Sequence, residues 1–359
     1  MIPIAKIEVD ERTIQAAIRV IKSGQWLHGP FSKNFEEKFA KFSDVKFAAS
    51  CSSGTTALFL ALRSLGIQNG DEVIVPSFSF VATASCISMC GATPKFIDIN
   101  PENFTLDPNQ IQKNISSKTK AIIPVHLFGH PADMKHINEI AKKNSIYVIE
   151  DAAQAHGAKY NGKRVGSLSD VACFSFYPSK NLTVCGDGGM ITTNNKSIIE
   201  KVKILRNHGR KEKYVHFTLG YNFKLSEIQA GIGLARLQKL EKNNRLRRII
   251  AKKYSDELPD SVIKPIEEKW AKHVYHQYSI QTKKRNELKS FLQKEKIETA
   301  VYYPLPIHKQ PMYKKFNKEK LSVTENLSAN ILSLPMFPSL TEKEQNKVII
   351  AMKKFQGLN

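Results

Sequence analysis

The sequence predicts an α/β protein, with a mainly parallel seven-stranded sheet covered by helices on both faces and a smaller α+β domain at the C-terminal end. Three observations carry this reading. Between residues 45 and 193, seven short apolar runs alternate with helical patterns, the arrangement of a parallel sheet buried on both sides. A long helical stretch from Leu225 follows and is broken by Pro259 and Pro265. Beyond it the pattern changes to one strand and two helices. A chain of 359 residues is long enough to bury two cores, and we place the domains at 1–240 and 241–359.

The strands are expected at 46–49, 72–75, 95–98, 121–125, 147–150, 172–176 and 190–193, most of them ending at a Pro, Gly or Asp. Helices fit between several of them, at 55–65, 81–89 and 134–143. The stretch 225–254 keeps its apolar period through Ala230, Leu234, Leu237 and Leu240, which predicts one helix. In the C-terminal domain the alternation over 275–281 predicts a strand, and 287–294 and 342–355 predict helices. No internal repeat or low-complexity segment interrupts the chain.

Fifty-four Lys and Arg against 33 Asp and Glu give a formal charge of +21. Such a balance attracts polyanions, so a nucleic-acid or membrane-surface binding protein is one class to weigh. The basic residues are nevertheless spread along the chain, as a lysine-rich solvated surface would have them. No apolar run reaches membrane-spanning length. Lys6, Glu8 and Asp10 interrupt the first residues, so a signal peptide is not expected. The five cysteines form no Cys-x-x-Cys pair, and Cys86 and Cys90 lack a third and fourth ligand nearby. The expected setting is a reducing cytoplasm, without a disulfide framework or a metal site.

Three segments carry chemistry. The first leaves a buried strand at Cys173-Phe-Ser175-Phe-Tyr-Pro-Ser and presents Lys180 before a glycine-rich turn. A lysine in a partly desolvated pocket loses its proton more readily, and the neutral amine can condense with an aldehyde. Taken alone, a lysine is better explained by a solvated surface. The second is the apolar strand Ile146-Tyr-Val-Ile-Glu, which ends in Asp151. A buried carboxylate needs a cationic partner, and a protonated pyridine nitrogen is one; a helix cap or turn is the other explanation of such an Asp. The third, Ser52-Ser53-Gly54-Thr55-Thr56, lies between a strand and a helix, where free amides and the helix dipole favour an anion such as phosphate; taken alone, a plain Ser N-cap is the better explanation.

In this order and spacing the three segments resemble the DegT/DnrJ/EryC1/StrS family of sugar aminotransferases, a branch of the fold-type I transferases that depend on pyridoxal phosphate (PLP). Nearly the whole chain shares the resemblance, including Pro76-Ser-Phe-Ser-Phe80-Val-Ala-Thr-Ala84, Pro124-Val-His-Leu-Phe-Gly129, Arg206-Asn-His-Gly-Arg210, Gly220-Tyr-Asn222-Phe and Tyr303-Pro-Leu-Pro-Ile-His308. It implies that Lys180 binds PLP covalently and then shuttles protons, and that Asp151 pairs with the pyridine nitrogen. It further implies that Gln154 bonds the ring hydroxyl, that Phe80 stacks on the ring, and that Gly54, Thr55 and Ser175 hold the phosphate. Asn222 would reach the phosphate site of a second subunit, which implies a homodimer with shared active sites.

The implied reaction takes an amino group from an amino acid, usually L-glutamate, and delivers it to a keto group of a nucleotide-linked sugar. Related dehydratases have a histidine where this chain has Lys180, which argues for transamination. Trp26, His28, Asp187 and His308 fall in segments that resemble the family's substrate loops. Asp187 stands where Glu is commoner and points to amination at C3, whereas Gly220-Tyr-Asn-Phe resembles C4-aminating members. The alternatives are a transaminase of a small keto acid and a basic, catalytically silent regulator on the same fold.

Overall fold

The computed structural model describes residues 1–357 except 28, 316, 317 and 319. The seven expected strands are present as β1 (Phe47–Cys51), β2 (Glu72–Pro76), β3 (Thr93–Ile97), β4 (Thr119–Ile122), β5 (Tyr147–Asp151), β6 (Val171–Ser175) and β7 (Gly189–Thr193). They form one sheet in the order β1-β7-β6-β5-β4-β2-β3. All neighbours run parallel except β7, which is antiparallel to β1 and β6. Apolar side chains fill both faces, which explains why these runs do not alternate with polar residues.

Two helices precede the sheet, α1 (Glu11–Ser23) and α2 (Pro30–Phe42). Between strands lie α3 (Gly54–Ser64), α4 (Ala82–Met89), α5 (Pro108–Asn114) and α6 (Met134–Lys143), and after β7 comes α7 (Lys196–Leu205). Residues of α3, α4 and α7 cover one face; Phe35 and Phe39 of α2, with Ile111 of α5 and Ile137 of α6, cover the other. Local chemistry sets the helix starts. Ser53 caps α3 by accepting from the Thr56 amide (3.1 Å), while the Thr56 hydroxyl accepts from the Ser53 amide (2.9 Å), a reciprocal pair that stabilises the first turn.

The single helix expected over 225–254 is two helices, α8 (Glu227–Leu237) and α9 (Leu240–Glu257). The chain turns at Gln238 and Lys239, where Lys239 pairs with Asp10. Leu237 and Leu240 keep helical spacing across the turn, so the apolar period hides the break. The break lets α8 run deep against α1 and α2 while α9 faces the C-terminal segments. The strand expected over 275–281 begins only at Tyr278. Its first part is drawn off toward the sheet, with the Val274 amide donating to Gly129 (3.1 Å) and the His276 amide to Phe128 (2.7 Å).

The remaining chain forms β8 (Tyr278–Gln281) antiparallel to β9 (Ile331–Leu334), with α10 (Arg285–Lys294), α11 (Ser322–Asn330) and α12 (Glu342–Gly357). Tyr254, Tyr278, Leu292, Leu334 and Val348 share a core with Ile2 from the start of the chain. Among the described residues no helix is long and apolar enough to cross a membrane.

Candidate active site

The strand register brings three distant segments to one edge of the sheet. Asp151 ends β5 opposite Cys173 of β6, and Ser175, two residues on, pairs with Gly189 of β7. Gly189 in turn pairs with Cys51 at the end of β1, just before the Ser53-Gly54-Thr55 turn. The carboxyl ends of parallel strands are where open α/β sheets bind ligands.

Asp151 is buried. Its Oδ2 accepts from the Thr83 hydroxyl (2.8 Å) and its Oδ1 from the Ala153 amide (3.2 Å). Burial pushes its carboxyl pKa up, while these two donors and the nearby Lys180 pull the other way. No cationic side chain among the described residues forms an ion pair with Asp151. A carboxylate so placed suits a ligand that brings its own positive charge.

Lys180 closes a turn in which its amide donates to the Tyr177 carbonyl (2.8 Å). Loss of water around the ammonium brings its pKa down to about 8, with Asp151 acting in the opposite direction. At neutral pH roughly a tenth of such an amine is unprotonated, far more than at an ordinary lysine. That is the state needed to attack a carbonyl.

Gln154 is buried and held at both ends, its Oε1 accepting from the Phe128 amide (2.8 Å) and its Nε2 donating to the Tyr303 hydroxyl (3.1 Å). The Tyr303 ring lies 6.2 Å from that of Phe80, which is 56% exposed although it follows a buried strand. An aromatic face left open beside a buried carboxylate fits a flat ring.

Gly54 begins α3 directly against Ser175. A Cβ at Gly54 would stand 2.6 Å from the Ser175 Cβ, so only glycine permits this approach. The amides of Gly54 and Thr55 belong to the first helical turn and have no acceptor within the helix. With the Ser175 hydroxyl nearby, this end of the site offers donors to an anion.

Asn222 is exposed on the chain leaving the 210–216 hairpin; the next residue, Phe223, accepts from the Ser52 amide (2.9 Å). Trp26 and Asp187 are also exposed, and both are tethered to the start of α8. The Trp26 carbonyl accepts from the Glu227 amide (3.3 Å), and the Asp187 carbonyl accepts from the Gln229 side chain. His28 lies outside the described residues. His308 is buried, with Nδ1 on the Ser77 hydroxyl (2.5 Å) and Nε2 on Glu325 (3.3 Å), so both ring nitrogens are occupied in bracing the Tyr303–His308 loop.

Two residues at the site escaped sequence reasoning, Thr83 and Tyr303. Both lie within segments quoted above, Thr83 three residues after Phe80 and Tyr303 at the head of its Pro-rich run. Neither residue type announces a role without the fold that aims it at Asp151 or Gln154.

Known proteins resemble this chain in sequence and fold. The family model described as the DegT/DnrJ/EryC1/StrS aminotransferase family matches residues 7–353. A pleiotropic regulatory protein of Geobacillus stearothermophilus is 44% identical over 342 residues, covering 94% of this chain and 92% of that protein. The UDP-N-acetyl-3-dehydro-alpha-D-glucosamine 3-aminotransferase of Acidithiobacillus ferrooxidans is 42% identical over 337 residues, 94% and 91% of the two chains. Among solved structures, S. venezuelae DesV in complex with a ketimine intermediate superposes with a TM-score of 0.96 at 39% identity, covering 99% of this chain and 98% of that one. A match over nearly the full length, joined to a lysine, a buried carboxylate and a glycine turn with free amides at one end of the sheet, means that the chain belongs to the DegT/DnrJ/EryC1/StrS aminotransferase family.

Proposed function

We propose that this protein is a PLP-dependent aminotransferase that transfers an amino group from an amino acid, by the family's pattern L-glutamate, to the C3 keto group of a nucleotide-linked sugar. It acts as a cytoplasmic homodimer and supplies amino sugars for glycan or polysaccharide assembly. The observation that carries the reading is the convergence of Lys180, Asp151 and the Gly54–Ser175 contact on one edge of the sheet. The 3-aminotransferase relative and Asp187 both favour C3.

Bound PLP supplies an electron sink for the negative charge left when a proton leaves the carbon next to nitrogen. The protein does the rest. Asp151 would pair with the pyridine nitrogen and keep it protonated. Gln154, fixed by Phe128 and Tyr303, would offer its amide to the ring hydroxyl, and Phe80 would lie against the ring. Gly54, Thr55 and Ser175 would hold the phosphate, with Asn222 of a second subunit at the same end. The Lys180 amine would hold the cofactor at rest and, once free, would serve as the base that takes a proton from the donor and the acid that gives one to the sugar carbon.

The test is direct. The purified protein should be yellow, lose that colour with L-glutamate, and after borohydride reduction carry the cofactor on the peptide containing Lys180. The glutamate-treated protein should then aminate 3-keto nucleotide sugars in preference to 4-keto ones. A colourless protein that takes up no PLP refutes the reading. The name of the Geobacillus relative favours a second one, a regulator on the same fold. Polyanion binding that falls steeply with salt and survives Lys180→Ala would mark it.

A further inference from the structure

Next to Lys180 lies a buried amide network that the chemistry above does not use. Asn181 is 7% exposed. Its Nδ2 donates to the Asn244 Oδ1 (3.0 Å) and to the Val274 carbonyl (3.2 Å), and its Oδ1 accepts from the His276 Nδ1 (3.3 Å). The orientation of the amide is determined, because a flip would set its oxygen against the Val274 carbonyl. Asn244, on α9, passes the connection on, its Nδ2 donating to the His156 carbonyl (2.8 Å). His156 stands two residues beyond Gln154 and five beyond Asp151.

We propose that Asn181 is a positioning residue: through Asn244 it clamps the turn that carries Lys180 to the segment that carries Asp151 and Gln154, and so fixes the lysine relative to the rest of the site. The clamp is closely built. Gly157, at φ +86°, lies so near that a Cβ there would stand 2.9 Å from the Asn244 Nδ2. Three residues along α9, the buried Arg247 donates to the carbonyls of Tyr275 (3.2 Å), His276 (3.3 Å) and Met336 (2.9 Å), which holds the far side of the clamp against the C-terminal segments. The same His276 amide donates to Phe128 (2.7 Å), whose own amide orients Gln154. Two buried amides cost free energy unless fully bonded. Here their bonds join the turn that carries Lys180 to the segment that carries Asp151 and Gln154.

The proposal rests on Lys180 being the cofactor lysine, and the experiment separates the two claims. Asn181→Ala, Asn244→Ala and the double variant are prepared both cofactor-free, for PLP affinity and capture, and as holoenzymes, for the reaction with donor. Three quantities are measured: PLP affinity, the rate at which L-glutamate bleaches the bound cofactor under saturating donor, and the rate at which added PLP becomes borohydride-fixed on Lys180. Misplacing a reacting group by a fraction of an ångström to 1 Å slows chemistry by roughly ten- to a hundredfold. Each single variant should therefore bind PLP within about threefold of the parent yet lose that factor in both rates, and the double variant should lose no more than the worse single, since both break one connection. If Asn181→Ala fails to fold, Asn244→Ala decides alone by the same rates. Unchanged rates overturn the proposal, as do losses that multiply in the double variant. An unmodified protein that takes up no PLP refutes the cofactor reading instead.

Discussion

Asp151→Asn should stabilise the protein without cofactor and disable it with cofactor. Asp151 is buried, accepts only two hydrogen bonds, and has no cationic side chain paired with it among the described residues. Asn has the same shape and no charge, and its Oδ1 can still accept from Thr83 or Ala153. Removing the under-compensated charge should gain on the order of 1–3 kcal/mol. With an unfolding entropy near 2.1 cal/mol/K per residue, the whole chain gives roughly 0.75 kcal/mol/K, so the melting temperature should rise by about 1–4 °C. The pH dependence gives the sign. Because burial raises the folded-state pKa of Asp151, the folded state holds its proton to higher pH than the unfolded chain. Stability from this group is thus lost as pH rises from the ordinary Asp value, about 3.9, through the raised one. The stabilisation by Asn should accordingly grow as pH rises above about 4 and vanish below it. With PLP bound the balance reverses, because a buried charge pair that loses one partner forfeits about 3–5 kcal/mol, roughly 10²–10⁴ in rate. Calorimetry of the cofactor-free forms from pH 4 to 8, with single-turnover kinetics on the loaded forms, reads both effects. A variant less stable than the parent at neutral pH, or one transaminating within about tenfold of it, refutes the assignment of Asp151 as partner of the pyridine nitrogen.

Gly54→Ala forces a methyl to 2.6 Å from the Ser175 Cβ; at about 1–3 kcal/mol for overpacking, the PLP dissociation constant should rise roughly five- to 150-fold by absorbance titration, and an unchanged value would remove the turn from the phosphate site. Because the Lys180 amine titrates near 8, the rate of PLP capture by the cofactor-free protein should climb between about pH 7 and 9 and then level, whereas an ordinary lysine would go on rising toward 10. Mixing Lys180→Ala and Asn222→Ala chains, each inactive alone, should restore about a quarter of the parent activity after subunit exchange, since half of the dimers then hold one intact shared site of two. No recovery would mean that Asn222 serves its own chain or no site at all.

The sheet was legible because its strands are buried on both faces, so each shows as an apolar run whatever its neighbours. Helices α3, α4 and α6 were legible for the same reason, by period. What escaped depended on partners distant in the chain. The break between α8 and α9 falls where Lys239 meets Asp10 and where the two helices turn to face different surfaces, while the apolar period runs on through it. The late start of β8 follows from Phe128 and Gly129 claiming the amides of His276 and Val274. In the site, Lys180 and Asp151 were visible only together with the Ser53-Gly54-Thr55 turn, because the order and spacing of the three segments resemble a known family whereas each residue alone has an ordinary explanation. Thr83, Tyr303 and Asn181 are ordinary residue types whose roles exist only through contacts 68, 149 and 63 positions away.

The antiparallel strand β7 explains why one site can gather residues so far apart. Were the sheet wholly parallel, β1 and β6 would be joined only through another parallel strand with its own crossover helix. As built, β7 descends between them, and Gly189 at its start faces both Cys51 and Ser175. This draws the Ser53–Thr55 turn onto Ser175, so that the proposed anion site is built from two strand ends. Asp151 stands one strand over and two residues back from Ser175, which at about 4.8 Å per strand and 3.3 Å per residue separates their backbones by roughly 8 Å. A pyridine ring bearing a phosphate arm is of that order of length. The distance between Asp151 and the Gly54–Ser175 contact, proposed above as charge partner and phosphate cradle, is therefore fixed by backbone hydrogen bonds of the sheet, the stiffest part of the fold. Lys180 is not on the sheet; it sits on a turn beyond β6. That division leaves the position of the lysine to be set by something other than strand pairing, and the Asn181–Asn244 connection is where the structure supplies it.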